Sequence, residues 1–197
     1  MGMETDVWSV TLGSDADFYV TTVAPTGAGS LTLAATTPGI NGYGYKVSQT
    51  SASGDNTSVN FVITGTTVGG EIVSETLAGA DGSGGAATVY STNYFSSVTS
   101  ITVSAATTGN ITIGYGGDLA IPRVRIRDWY YIGTGSAGSL TVTNNGETVP
   151  RLKIMTPGVA DAYSLTLSGH GILVGQSATG YAVVTTSNVT SYTLTLG

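Results

Sequence analysis

The sequence predicts an all-β fold with little or no helix, arranged as two small antiparallel sandwich- or barrel-like units in tandem. Three observations carry that expectation. Gly (29 residues) and Thr (33 residues) stand where helical chains use Leu, Glu and Lys. Short strand-like segments recur with Gly, Pro, Asn or Asp between them, a spacing that suits sandwiches and barrels rather than βαβ units. No window sustains the 3.6-residue apolar period of an amphipathic helix.

Taken in order, Val7 to Leu12 and Phe18 to Val23 read as strands joined by Gly-Ser-Asp-Ala-Asp, a turn composition. Leu31 to Leu33 and Tyr43 to Val47 follow, separated by Thr-Pro-Gly-Ile-Asn-Gly. The run from Val59 to Gly117 reads as two consecutive hairpins. In the first, Val59 to Thr64 turns through Gly65 to Gly70 into Glu71 to Leu77. After a Gly-rich loop from Asp81 to Ala87, Ile101 to Ala105 turns through Gly109-Asn110 into Ile111 to Tyr115. Gly116-Gly117-Asp118 then marks the expected boundary, giving an acidic N-terminal β domain over 1–118 and a C-terminal β-sandwich domain over 119–197.

The second domain opens with Ile121-Pro122, the alternating run Arg123 to Arg127, and Trp129-Tyr130-Tyr131. A hairpin is expected from Ser139 to Thr143 and Val149 to Met155, with Asn145-Gly146 favouring a type I′ turn. Pro150 cannot donate to a ladder, so its strand should lie at an edge or start late. Leu165 to Leu167, Ile172 to Val174, Ala182 to Thr185 and Tyr192 to Leu196 complete the unit. The two domains share Gly-Ser-Leu-Thr, Thr-Pro-Gly and Val-Thr-Ser in the same order, which either an old duplication or the Thr- and Gly-rich composition explains.

With 41% hydrophobic and 9% charged residues the chain is too apolar for intrinsic disorder. Its net charge of −6 is uneven: residues 1–118 hold one base and nine acids (net −8), residues 119–197 five bases and three acids (net +2). An acidic chain with so few clustered bases is not expected to bind nucleic acid. The absence of Cys excludes disulfides and thiolate chemistry. No apolar run approaches the ~20 residues of a membrane helix, so no membrane association is expected. Met1 to Val10 has no basic or apolar signal region, and Asp6 stands where a myristoylation motif needs Ser or Thr.

Candidate chemistry is sparse. Gly133-Thr-Gly135-Ser-Ala-Gly138 matches a dinucleotide fingerprint, but that motif needs a following helix, and Ser-Leu-Thr-Val-Thr alternates as a strand. His170 is the only histidine, which rules out a multi-histidine metal site and favours a turn or interface role. The acid pairs Asp15/Asp17 and Glu71/Glu75 place two carboxylates on one strand face, where solvated acids also sit by default. Asp15, Asp17, Asp55 and Asp81 have oxygen ligands for calcium but no EF-hand or nonapeptide spacing, and turn chemistry alone accounts for them. Tyr43 and Tyr45 suit either a sugar-stacking platform or the rim of a sandwich. No enzyme, cofactor or metal is therefore expected.

Arg123, Arg125 and Arg127 alternate with Val124 and Ile126, so a strand would show three guanidiniums on one face. Two explanations stand side by side. Charges on an edge strand block edge-to-edge pairing. With Trp129, Tyr130 and Tyr131 beside them, the same arginines have the composition of an interface hot spot for an acidic partner, such as the first domain of a neighbouring copy.

Val-Ile-Thr-Gly-Thr-Thr (62 to 67), Gly-Glu-Ile-Val-Ser-Glu-Thr (70 to 76), Phe-Ser-Ser-Val-Thr-Ser-Ile-Thr-Val (95 to 103) and Gly-Asn-Ile-Thr-Ile-Gly (109 to 114) resemble an all-β module of tailed-bacteriophage virion proteins over about residues 29 to 117. Gly-His-Gly-Ile-Leu-Val-Gly (169 to 175) and Val-Thr-Ser-Tyr-Thr-Leu (189 to 194) resemble short β-sandwich domains of such proteins. The resemblance implies a non-enzymatic virion component, assembled in the host cytoplasm, that decorates or cements the outside of the capsid shell. Its implied partners are the major capsid protein or other virion proteins and further copies of itself, with a trimer the expected oligomer. The alternative it leaves open is a tail, neck or fibre protein, or an adhesin module binding host-surface glycan.

Overall fold

A computed structural model describes residues 7–10, 14–38, 43–122, 124–156, 162–166, 172–174 and 181–196, and among them it is all-β. In chain order the strands are β1 (Val7–Val10), β2 (Asp15–Val23), β3 (Gly29–Ser30), β4 (Gly44–Ser51), β5 (Gly54–Asp55) and β6 (Asn60–Thr67). Then come β7 (Ile72–Ala78), β8 (Asp81–Gly82), β9 (Ala87–Val103), β10 (Ile111–Pro122), β11 (Val124–Gly133) and β12 (Gly138–Asn144). The last are β13 (Leu152–Thr156), β14 (Ala162–Thr166), β15 (Ile172–Val174), β16 (Tyr181–Ser187) and β17 (Val189–Leu196).

The chain forms two compact units, but not in simple tandem. One is Ser14–Gly117. The other joins Asp118–Gly197 to the N-terminal segment that carries β1. The N-terminal residues expected in the acidic domain thus belong with the C-terminal one, because β1 finds its hydrogen-bond partner in β17, from Val7 opposite Thr195 to Val10 opposite Tyr192. Charge follows this division. Residues 14–117 hold one base, Lys46, and six acids, a net −5, and the remaining five bases and six acids give −1. The +2 expected of the C-terminal half disappears.

In the 14–117 unit, β6 and β7 form the first expected hairpin, registered from Asn60 opposite Ala78 to Thr66 opposite Ile72. Its alternation is real: Phe61, Ile63, Gly65 and Thr67 are buried while Asn60 is exposed. The strand passes through Gly65 rather than turning there. A Cβ at Gly65 would come within 2.2 Å of the Ser97 carbonyl, so only glycine lets β6 lie this close to β9. The turn falls at Val68 to Gly70, where Gly70 takes φ 84° and its N–H bonds the Thr67 carbonyl at 3.0 Å. Phe61, Ile63, Phe95, Val98, Ile101, Ile111 and Ile113 join Tyr19 and Val47 in the core, each fully buried. Full burial of such side chains is worth about 1.5–3 kcal/mol each.

The second expected hairpin does not form. β9 pairs with β4 and β6, β10 pairs with β2, and β4 lies between β9 and β10 in the strand order. The connection is diverted by bonds to other elements: Ser104 N–H bonds the Asn60 carbonyl and Thr107 N–H the Pro25 carbonyl. Thr108 is held from both sides by Asn56, whose Oδ1 accepts its N–H at 2.7 Å and whose Nδ2 bonds its carbonyl at 3.2 Å. Leu31 to Leu33 is also not a strand. Gly29–Ser30 pairs with β9 instead, and Leu31 and Leu33 lie partly buried against the core.

In the other unit one sheet runs β13, β12, β16 and the end of β10; a second runs β1, β17, β11 and β14, with β15 also on β11. The β12–β13 hairpin is present. β13 starts at Leu152 and has β12 as its sole partner strand among the described residues, so Pro150 both delays the strand and precedes an edge. Gly146 takes φ 84° without a matching positive φ at Asn145, so the turn is not type I′. Asn188 carries the chain from one sheet to the other at φ 52°. Its Nδ2 donates to the Ala137 carbonyl at 2.7 Å, and its carbonyl accepts from Thr134 N–H.

Candidate association surface

β11 is a central strand. β17 flanks one side, and β14 and β15 the other. Between Ile126 and Gly133 the strand is interior, so Arg127 guards no edge there, whereas at Arg125 the described partner strand is β15 alone. Against β17 its register steps from Ile126 opposite Leu196 to Asp128 opposite Thr195, which makes Arg127 the extra residue of a β-bulge. The bulge breaks the alternation behind the expected three-arginine face, and it explains why Ile126 and Trp129, three positions apart, are both buried. Arg125 is in register with Leu173 and Tyr131 with Tyr163 and Tyr192. Arg123 lies outside the described residues.

Of the expected hot spot, Trp129 is 5% exposed and Tyr130 40%. Trp129 is therefore a core residue, and Tyr130 reaches solvent. Ile132, two residues on, is exposed as well. Opposite them on β14 stand Ser164 and Ala162, both exposed. The result is an exposed aromatic and aliphatic pair opposite small, exposed residues on the neighbouring strand.

Two open strand edges, one in each unit, add apolar surface that sequence reasoning missed. β7 pairs with β6 alone among the described residues and carries Ile72, 81% exposed. β13 carries Met155, 66% exposed, after a loop bearing exposed Val149. Exposure is not readable from residue type, and these side chains look like core candidates in the sequence.

Four carboxylates of the 14–117 unit, Asp15, Asp55, Glu75 and Asp81, are engaged in architecture. β9 bulges against β4, where Tyr90 to Tyr94 spans the same stretch as Ser48 to Lys46. Glu75 captures the bulge: Oε1 accepts Thr92 N–H at 2.6 Å, and Oε2 accepts both Asn93 N–H and Nδ2 at 2.9 Å. Ser91 Oγ accepts Val47 N–H and donates to the Asn93 carbonyl, both at 2.8 Å. Asp15, Asp55 and Asp81 each accept the N–H two residues ahead, the turn role expected for them. The Ser83 hydroxyl bonded to Asp81 at 2.6 Å holds that carboxyl below its ordinary range.

Buried amides do similar work. Gln49 Oε1 accepts Ala80 N–H at 2.7 Å, and Gln49 Nε2 and Asn56 Nδ2 both donate to Ser51 Oγ. Tyr43 and Tyr45 are buried, so they form no sugar-stacking platform. Tyr45 packs on Tyr115 at 4.8 Å between ring centroids, and Tyr115 meets Phe18 edge-on at 5.1 Å. Burial, then the neighbouring Tyr45, pushes the Tyr43 hydroxyl up to about 12.

After Gly133, Gly135 turns at φ 94° and β12 follows directly, so the fingerprint-like glycines are a turn. His170 lies outside the described residues. Two open grooves, one of roughly 270 Å³ lined chiefly by Pro25 to Leu31 and one of roughly 290 Å³ lined by Val20 to Val23 and Ser30 to Thr32, have no titratable side chain in their lining. Among the described residues no group of three metal-ligating side chains comes together. Comparison with protein-family models, curated proteins and solved structures found no match in any of the three.

Proposed function

We propose that this chain is a non-enzymatic structural component of a tailed-phage virion, a decoration or cement protein that binds the outside of the capsid shell and associates with copies of itself. The observation that supports this reading most is the division of labour among its side chains. Glu75, Asp81, Gln49 and Asn56 spend their polar atoms on holding backbone, whereas apolar Ile72, Met155, Tyr130 and Ile132 face solvent on open edges and a sheet face. A molecule built this way acts through surfaces. The sequence resemblance over residues 29 to 117 supports the virion context.

A stable shell contact buries on the order of 1,200–2,000 Å² in total, and the β7 edge in one unit and the Tyr130 strip and β13 edge in the other are separate candidate elements for such contacts. The decisive experiment counts copies in purified particles by quantitative proteomics and locates them by electron microscopy. Copies in proportion to the shell subunits, on the outer surface, support the reading. A small fixed number at one vertex overturns the shell assignment in favour of a neck, tail or fibre position.

A further inference from the structure

We propose that the Asn145-Gly146 turn is a self-modifying site, at which Asn145 converts through a cyclic imide to aspartate and isoaspartate and places a new carboxylate at the approach to edge strand β13. The inference is independent of the virion reading.

The residues around the turn set up the chemistry. Asn145 N–H bonds the Tyr181 carbonyl at 3.1 Å and Glu147 N–H bonds the Asn144 carbonyl at 3.0 Å, so the turn is anchored on both sides and the Gly146 N–H between them takes no part in either bond. Gly146 is exposed, takes φ 84°, and has nothing within 4 Å of the place a Cβ would occupy. Gly146 is thus a solvent-exposed residue with no side chain to obstruct ring closure at its nitrogen.

In the first step the Gly146 nitrogen loses its proton and attacks Asn145 Cγ. A C–N bond closes a five-membered imide, the Cγ–Nδ2 bond breaks, and ammonia leaves carrying the proton. Water then adds to one imide carbonyl and breaks one ring C–N bond, which leaves either aspartate or a chain routed through Cγ as isoaspartate. No co-reactant beyond water and hydroxide is needed.

Asn144 supplies an internal control. It is fully buried, its Nδ2 donates to Glu147 Oε1 at 3.1 Å, and the next residue bears a side chain. The new carboxylate at 145 lies two residues along the chain from Glu147, whose own carboxylate is paired with Arg151 at 2.8 Å. The isoaspartate product also lengthens the backbone inside the turn closed by Asn144 and Glu147, just ahead of the Arg151 N–H bond to the Val142 carbonyl.

The test incubates the full-length folded chain at pH 5 and pH 9, then maps peptides by mass spectrometry with an isoaspartate-specific methyltransferase as second readout. The expected result is Asp and isoAsp at 145, accumulating with time and faster at pH 9, with Asn144 intact and one added negative charge by ion exchange. Gly146→Ala should slow the conversion in the folded chain. Because the positive φ strains that variant, the same comparison is made in urea, where both chains are unfolded. The proposal is overturned if the folded wild-type chain keeps its Asn145 amide under conditions that convert it in urea, or if Gly146→Ala converts as fast as wild type.

Discussion

Glu75 holds Asn93 at two points, with Oε2 2.9 Å from both its backbone nitrogen and its Nδ2. β9 departs from the β4 ladder between Tyr90 and Tyr94 and rejoins it at Tyr94 opposite Lys46, and the excursion leaves the Thr92 and Asn93 N–H groups to find another acceptor. One carboxylate takes both. Hydrogen bonds to a charged acceptor contribute about 1.5–3 kcal/mol. Glu75→Ala should therefore lower unfolding stability by about that amount, with Asn93→Ala costing less. Denaturant titration of both variants and the double mutant checks this, and fully additive effects would remove the claim that the two act together.

Asn56 ties three segments through its amide, bonding Ser51, the Thr108 carbonyl and the Thr108 N–H inside the 14–117 unit. Asn56→Ala leaves buried polar atoms unpaired, at about 1–3 kcal/mol for each unsatisfied group. Ser104→Ala, whose hydroxyl accepts Asn60 N–H at an exposed position, should cost less than Asn56→Ala. Thermal melts of the two variants give the comparison; equal losses would show that the network does not anchor the loop.

Trp129 and Tyr130 are neighbours with opposite assignments. Trp129→Ala should destabilise its unit by about 3–5 kcal/mol, the range for emptying a core aromatic site. Tyr130→Ala should leave the melting midpoint close to wild type and weaken self-association or particle binding instead. Analytical ultracentrifugation and a pull-down on purified particles separate the two effects. Unchanged binding by a folded Tyr130→Ala protein removes the sheet-face strip from the interface.

Glu147 sits below the ordinary carboxylate range, chiefly because Arg151 donates hydrogen bonds to it and then because Asn144 does. Asp81 is lowered by Ser83. A lowered folded-state value means that each stabilising contribution is present above the unfolded value near pH 4 and is lost as pH falls through the folded one. Carboxyl-carbon NMR titration should show both groups ionising early. Arg151→Met should return Glu147 toward its ordinary value without moving Asp81, and high salt should weaken the Glu147 shift more.

The buried tyrosines set the alkaline limit. Burial raises Tyr19, Tyr43 and Tyr45, with Tyr43 reaching about 12. These groups favour the folded state fully below the unfolded value near 10, and that advantage disappears as pH climbs toward 12. Tyrosinate absorbance should therefore rise in step with loss of near-ultraviolet dichroism above pH 10. A rise completed while the dichroism is intact would place these hydroxyls in solvent.

Local pairing was legible in the sequence, and distant pairing was not. β6 and β7 could be read because alternation and a Gly-Gly turn sit within twenty residues of each other. Only the end of β9 was visible, at Ile101 to Val103. Its earlier part, Ala87 to Ser100, is rich in Ser and Thr, its alternation is interrupted at Ser91 to Asn93, and its partners lie far away in the chain. At the candidate surface, the aromatic run was found but its orientation was not. Counting by twos from Ile126 puts Trp129 outside, and the bulge at Arg127 puts it inside. In the sequence Glu75 pairs only with Glu71, since nothing there brings Asn93 within its reach.

The pairing of β1 with β17 also imposes an order in time. The 14–117 unit contains every residue of its core cluster and is wholly synthesised before β17 exists, so it can form on the ribosome. Its companion cannot be completed until the last strand emerges, with β1 waiting unpaired in the meantime. A ribosome stalled before residue 189 would hold one finished unit and one lacking its closing strand, and early termination there would spare the inserted unit while disabling its host.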